Sequence, residues 1–501
     1  MPLKYKIRPE IQQETLKNHP ALRTKQGGLI LLDSPLADLW HFSDGKTLEE
    51  ILRDFQSNKF SSLEILAGLA CLAEAGLLSR EIKSSEKDHH TFSSDGTVSV
   101  VLVAFNSRAW LEICIPSLLS QTLPVLEIIL VDNASCDATV SWVKETYPGI
   151  DLLQLEKSQS LAQALNIGAA SAKGDYLLII NPDVTFEPTA IANLVFTAQD
   201  QPDCAAVAAK LKLSFTPGLL NGMGNYVGPA SWGTDYGLGQ LDLGQFDQIN
   251  EVPSACFAAA LIPIEAYKII GPFDPGFPLY YEDSEWCYRA RIYGYKILAA
   301  PGAVGNHAFG QESNQYLPGV LTSEKLEQVI YGRLRFIFKL LSPVYLFYFF
   351  VVYTIEAFFR LLEAALHGRW YYYGAYFNAS LKMIKSLKEI LDNRRMVQTR
   401  RVTPDRDLFQ IHKNIPLPLV RYEMPELSLD IVRHIYLPAI LSDNTRPLPE
   451  FELSTGYTDG QKIYPGKMSI INRLLSTIRT EGFSGFLLYF GKWVVWRLNR
   501  M

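Results

Sequence analysis

Cysteine is scarce in this chain and badly spaced for a structural role. Its 501 residues include six cysteines, at 71, 114, 136, 204, 256 and 287, with no C-x-x-C pair and no clustered His partner. That excludes a zinc framework and a disulfide scaffold, and a reducing compartment is the expectation. Charge of one sign is lacking too: 47 Lys and Arg against 52 Asp and Glu leave a net charge of -5. No general basic field exists, so nucleic acid is not an expected partner. No uncharged apolar run reaches the roughly 20 residues of a membrane span. The opening MPLKYKIRPEIQQE also lacks the apolar core of a signal peptide, so export is not expected. What remains, 48% hydrophobic and 20% charged residues, is ordinary globular composition.

Residues 83–97, KSSEKDHHTFSSDGT, have no periodic apolar positions and form a linker. His89 and His90 within it belong to a solvated loop. Ahead of the linker, residues 1–82 predict a turn and strand, two short helices and a longer helix with Leu63, Leu66, Leu69, Ala70, Leu72 and Ala73 at helical spacing. This winged-helix-like module resembles PqqD-like peptide-chaperone domains in GGLILLDSPLADLWHFSDG, TLEEIL and LAEAGLL. The resemblance implies recognition of a precursor peptide.

After the linker, strand and helix alternate. VSVVLVAF, LEIILVD, IDLLQL and YLLII predict strands, separated by WLEICIPSLLSQ, ASCDATVSWVKETY and SLAQALNIGAASAKG as helices. That order implies an α/β domain with a mostly parallel sheet, whose ligands sit beyond the carboxyl ends of the strands. Asp132 ends one strand, Asn106 follows another, and Asn181-Pro182-Asp183 follows YLLII. Taken alone, Asn-Pro-Asp is equally a turn. Further on, Glu282 and Asp283 open a helix, where Asp283 is either an N-cap or a proton acceptor. His307 lies beyond the strand YKILAAP.

The ordered set VLVAFNS, SLLSQ, EIILVDNAS, LNIGAASAKGDYLLIINPDV, GPFDPGF, YYEDSEWCYRA and HAFG, over residues 98–313, resembles a family 2 glycosyltransferase of GT-A fold, rhamnosyltransferase-like branch. The resemblance implies a Rossmann-like domain that transfers a sugar, with inversion, from a nucleotide-diphosphate sugar to a hydroxyl. It assigns the donor to the Ala104 backbone, Asn106, Asp132, Asn181 and Asp183, with Asn181 in place of the first acid of the D-x-D motif. Asp183 and His307 become holders of Mn²⁺ or Mg²⁺, and Asp283 the general base. In HAFGQES the usual H-x-x-G-x-S is stretched by one residue, which puts Ser313 outside the pattern. Glu282, Trp232 and Trp286 are candidate acceptor contacts, and Tyr236 a second stacking surface. For Trp286 a place in the core is the alternative. Residues 215–244, with eight glycines, predict a lid.

Between Phe336 and Phe377 stand 16 of the 59 aromatics. The 16-residue stretch between Lys339 and Glu356 is uncharged, and Arg333, Arg335, Lys339, Arg360, Lys382, Lys385 and Lys388 flank or follow it. Such composition predicts amphipathic helices on the inner face of a membrane, over residues 314–401; the alternative is the aromatic core of a helical subdomain. Residues 402–501 form an extension ending in a second basic, aromatic segment. The leading expectation is a cytoplasmic, peripherally membrane-bound transferase acting on a lipid-linked or cell-surface glycan precursor. One alternative acceptor is a ribosomally made peptide presented by residues 1–82, and another reading is a non-catalytic scaffold. A nucleotidyltransferase lacks support, because AFNSRAW stands where its Gly-rich, Arg-bearing loop belongs.

Overall fold

The computed structural model describes residues 4–9, 11–16, 19–23, 29–31, 34–55, 65, 68–69, 72–73, 77–81, 96–199, 201–214, 220–228, 231, 233–238, 242, 246–247, 249–308, 323–366 and 368–410. The first part holds β1 (Lys4–Ile7), β2 (Gln12–Leu16), β3 (His19–Arg23), β4 (Leu29–Leu31), α1 (Ser34–Phe42), α2 (Leu48–Asp54) and β5 (Leu78–Glu81). β1 pairs with β5, and β2, β3 and β4 form a meander. Thr47 caps α2 in a reciprocal capping box with Glu50. Most of the longer helix expected here, like the linker histidines, lies outside the described residues.

An α/β domain follows with β6 (Val98–Ala104), α3 (Arg108–Leu119), β7 (Glu127–Asp132), α4 (Thr139–Thr146), β8 (Asp151–Gln154), α5 (Leu161–Ser171), β9 (Tyr176–Ile180), β10 (Val184–Phe186), α6 (Ala190–Gln199) and β11 (Cys204–Leu213). It continues with β12 (Leu220–Gly222), β13 (Asn225–Val227), β14 (Gly233–Asp235), β15 (Ala259–Pro263), α7 (Ile264–Ile270), α8 (Glu282–Ile292) and β16 (Lys296–His307). Nine strands make one sheet in the order β10-β16-β11-β15-β9-β6-β7-β8, with β12 beside β11. β8, β7, β6 and β9 are parallel, β11 and β16 are parallel, and β15 runs against both β9 and β11.

This is the α/β architecture the alternation predicts. The central strands are mostly apolar because helices cover both faces; Leu111, Cys114, Ile115 and Leu118 of α3 are all buried, as their spacing requires. Two expectations change. β16 runs on through His307 by a register shift against β11, so the histidine ends the strand rather than following it. The described part of the glycine-rich stretch is not a free lid: Leu220, Asn221 and Gly222 are buried in the main sheet, and β13 and β14 form a hairpin.

A helical unit closes the described chain: α9 (Ser323–Leu340), α10 (Pro343–Leu366), α11 (Tyr371–Thr399) and α12 (Asp405–Leu408). Its inner side is a core of Phe336, Ile337, Leu340, Phe349, Tyr353 and Tyr376 that also takes in Tyr281 and Tyr288. The core alternative is therefore true of one side of these helices. On the other side, Phe347, Phe358, Trp370, Phe377 and Ile384 are 62–70% exposed.

A chain of charges, all buried except Glu389, fastens this unit to the α/β domain. Asp274, in the GPFDPGF loop, accepts from Arg335 Nη2 (2.8 Å) and Lys339 Nζ (2.6 Å). Lys339 also meets Glu285 (2.9 Å), which pairs with Arg289 (2.8 Å), and Arg335 reaches Glu389 on α11 (2.6 Å). Gly276 is obligatory beside it, since a Cβ there would lie 2.1 Å from the Arg335 guanidinium carbon. Burial alone would raise the Asp274 pKa, but Lys339 and Arg335 more than offset it and hold the carboxyl well below the usual range.

Candidate functional site

β6 ends between β9 and β7, which places its carboxyl end at the switch point of the sheet, where a ligand crevice forms. The register sets Ala104 beside Asp132, and the Ala104 carbonyl accepts from Asn133 N (2.8 Å). Asp132 is 2% exposed. Its Oδ2 accepts from Ser135 N (3.2 Å), whereas its Oδ1 is buried without a hydrogen-bond partner among the described residues. A buried carboxylate oxygen left so calls for a donor.

Asn106 has a different local task from the one expected. It adopts φ 50°, and its Oδ1 accepts from Cys136 N (2.8 Å) and Asp137 N (3.3 Å). The side chain thus braces the loop after β7, and its backbone turn leaves the Phe105 ring 52% exposed at the mouth of the crevice. Phe105 was invisible in the sequence, where it continues an apolar strand.

Asp183 and His307 are distant in the chain but meet because Val184 of β10 pairs with His307 of β16. Asp183 Oδ1 lies 3.3 Å from His307 Nε2. On the other ring nitrogen, His307 Nδ1–H donates to Asn221 Oδ1 (2.6 Å), a residue the sequence did not single out. With Nδ1 given to Asn221, Nε2 is the ring atom that faces the carboxylate. The separation is near that of adjacent ligands on an octahedral ion, about 3 Å. The second-nitrogen hydrogen bond is the usual support for a ligating histidine. No group of three or more His, Cys, Asp or Glu forms a metal cluster among the described residues. Asn181 holds the turn through its backbone, donating to Ala258 O (2.9 Å).

α8 starts in strained backbone. Tyr280 and Tyr281 have φ of 65° and 71°, and a bulky residue at positive φ persists only where its surroundings impose it. Tyr281 OH supplies the restraint: it donates to Ser231 O (2.6 Å) and accepts from Gly233 N (2.8 Å). The turn puts Asp283 in the first turn of α8, half-buried, with Oδ1 accepting from Ser284 N (2.5 Å) and Oγ (3.2 Å). Its Oδ2 accepts from Asn225 Nδ2 (3.1 Å).

Glu282 is buried, with Oε2 lacking a hydrogen-bond partner among the described residues. Burial, then the neighbouring Asp283, push its pKa up to about 8. Asp283 is raised as well, by burial, against the hydrogen bonds of Ser284 and Asn225. The two titrate as a pair. Asp283 ionises first, because three donors stabilise its anion, and Glu282 keeps its proton at neutral pH. Asp235, on β14, is another acid that sequence reading passed over; burial and Asp283 raise it to about 7.

The acceptor-side aromatics behave differently. Trp286 is fully buried, donates Nε1–H to Gly271 O (2.8 Å) and packs on Phe257 and Phe273, so the expected acceptor contact is instead a core residue. Tyr236 is buried against Tyr226 and is likewise no open stacking surface. Trp232 and Ser313 lie outside the described residues.

Residues 99–217 match the family model Glycosyl transferase family 2, and the sheet topology fits the GT-A fold. Glycosyltransferase GlyG of Streptococcus pneumoniae is 32% identical over 111 residues, 21% of this chain and 36% of that protein. The N-acetylglucosaminyl-diphospho-decaprenol L-rhamnosyltransferase of Mycobacterium tuberculosis is 24% identical over 229 residues, 41% of this chain and 73% of that one. The chain spans about a third (31–36%) of the length of GlyG and of two further glycosyltransferases it matches. A solved structure, GalNAc-T7 with UDP, GalNAc and Mn²⁺, aligns over 69% of this chain and 64% of its own with a TM-score of 0.46 and 17% identity.

Proposed function

We propose, with the family 2 glycosyltransferase domain as premise, that this chain is an inverting glycosyltransferase using a nucleotide-diphosphate sugar and a hydroxyl acceptor. The observation that carries the reading is the coexistence of an orphaned Asp132 oxygen and the Asp183–His307 pair at strand ends with a half-buried, hydrogen-bonded Asp283 at the start of α8. Asp132 Oδ1 accepts an N–H of the nucleotide base, and the exposed Phe105 ring offers the base a face. Asp183 and His307 hold Mn²⁺ or Mg²⁺ together with diphosphate oxygens. When bound, that cation neutralises charge on the departing nucleoside diphosphate.

Asp283 takes the proton of the acceptor hydroxyl as its oxygen bonds to the anomeric carbon, while the bond from that carbon to the diphosphate oxygen breaks and its electron pair leaves with the nucleotide. Attack on the face opposite the leaving group inverts the anomeric centre. Protonated Glu282 borders the acceptor without competing for the proton. With saturating Mn²⁺ and a nucleoside diphosphate at about one hundred times its Kd, thermal unfolding shows stabilisation of about 2.7 kcal/mol. Asp183→Ala loses the Mn²⁺-dependent part of that shift; an undiminished shift defeats the assignment.

We further propose that the acceptor is lipid-linked and that the helical unit lies on the inner membrane face. α10 is the one described helix long and apolar enough to cross a bilayer, with mean hydropathy 1.5 and 22% of its apolar window buried. It carries Glu356, which is 1% exposed and pairs with Arg333 (2.7 Å) and with Arg360. Spanning would draw these charges from the protein into hydrocarbon, at several kcal/mol. Lying flat leaves them paired and turns Val344, Phe347, Val351, Ile355 and Phe358 outward along one face. Lys385, Lys388 and Arg395, all exposed on α11, suit anionic headgroups. Replacing Phe347 and Phe358 together by Asp lowers binding to anionic vesicles at least tenfold in co-sedimentation, on the order of 1.5–3 kcal/mol for each buried side chain; unchanged binding counts against this surface.

A further inference from the structure

The sequence Asn221-Gly-Met-Gly-Asn225 connects the two halves of the site. Asn221 accepts from His307, and Asn225 donates to Asp283. Four residues on, the chain can be at most about 14 Å away, and Gly224 makes the turn at φ 76°, where a Cβ would meet Ser254 O at 2.7 Å. The stretch is buried: Asn221 is 3% exposed, Met223 0% and Asn225 6%.

We propose that Asn225 is a positioning residue for the transfer reaction, holding the Asp283 carboxylate in one orientation and in its ionised form. This rests on the transferase reading given above. The direction of the carboxamide is set by the carboxylate itself. An ionised carboxylate only accepts, so the amide nitrogen is the atom that faces Asp283 Oδ2. The backbone is pinned as well, because Asn225 N donates to Ser254 O (2.8 Å).

The groups around Asp283 explain why a donor is needed there. Glu282 lies beside it on α8, Asp235 stands opposite Asn225 in the hairpin register, and Cys256 precedes β15. Tyr281 and Cys287 complete the set. Negative charge on the carboxyls Glu282 and Asp235 favours a proton on Asp283, whereas burial pushes Cys256, Tyr281 and Cys287 up and keeps them neutral. The N–H groups of Asn225 and Ser284 act in the opposite sense. With Oδ1 given to Ser284 and Oδ2 to Asn225, the carboxylate plane is fixed.

The test uses the full-length protein. The Asp283 carboxyl is titrated by ¹³C NMR on aspartate-labelled chain, its signal assigned by loss in Asp283→Asn. Asn225→Asp, nearly isosteric, moves its midpoint up by about one to two pH units, the worth of a hydrogen bond to a charged group plus a new like charge; Asn225→Ala moves it the same way by less. The acid limb of kcat shifts in parallel while KM for the donor stays put. Should Asn225→Ala fail to fold, Asn225→Asp decides. A midpoint unmoved in a folded Asn225→Asp overturns the proposal, as does a raised donor KM with an unshifted limb. Absence of any turnover by wild type defeats the transferase reading instead, and the carboxyl titration still decides the role of Asn225.

Discussion

Asp283→Asn retains nucleotide-sugar binding and loses roughly 10²–10⁴-fold in kcat, the contribution of a positioned general base. Donor affinity is spared because Asp132, Asp183 and His307 belong to the other strand ends, and the amide still accepts from Ser284 N. The measurement is initial-rate kinetics beside calorimetric titration with the nucleoside diphosphate. Loss of donor affinity equal to the loss of rate would move Asp283 from chemistry to binding. The pH dependence has a definite sign. Burial raises the Asp283 carboxyl from its ordinary value, so activity falls on the acid side with a midpoint displaced upward. Glu282, at about 8, must keep its proton and so begins to oppose activity only as pH climbs through that value.

Asp274→Ala lowers stability by about 3–5 kcal/mol, the cost of leaving partners of a buried ion pair uncompensated. Arg335 and Lys339 are 0% and 5% exposed at their side chains, and neither can turn to water without opening the contact between α9 and the α/β domain. Chemical denaturation at neutral pH measures the difference. Because the folded carboxyl titrates below its unfolded value, its contribution is whole above about pH 4. It then fades as pH falls further, so wild type and variant converge in acid. A variant within 1 kcal/mol of wild type would show that the six-charge chain is dispensable.

Strand ends were the most legible part of the site. Long β-branched and leucine runs bounded by polar residues mark β6, β7 and β9, and Asp132 and Asp183 follow from where those runs stop. Helix α8 was legible only at its start. Every residue from Ser284 to Ile292 is buried, so no face of the helix is distinguished by its apolar spacing. Trp286, next door to an acid pair, therefore looks like a ligand contact until its Nε1–H is seen on Gly271 O. Asn221 and Asn225 escaped notice because glycine-rich sequence carries no periodicity, although the symmetric N-G-M-G-N spacing was a signal. For α10 the charge at Glu356 seemed to end an apolar segment. The helix instead runs on to Leu366, since Arg333 accepts that charge from the inner side.

The pairing of Val184 with His307 carries a consequence for the order in which the protein is made. Asp132 and its neighbours are complete once β9 has been synthesised, but Asp183 meets His307 only when β16, the last strand of the sheet, inserts between β10 and β11. A chain emerging from the ribosome therefore carries the Asp132 strand end well before the partner of Asp183 exists. The Asp183–His307 contact is made by strand closure, more than by the arrival of any one residue.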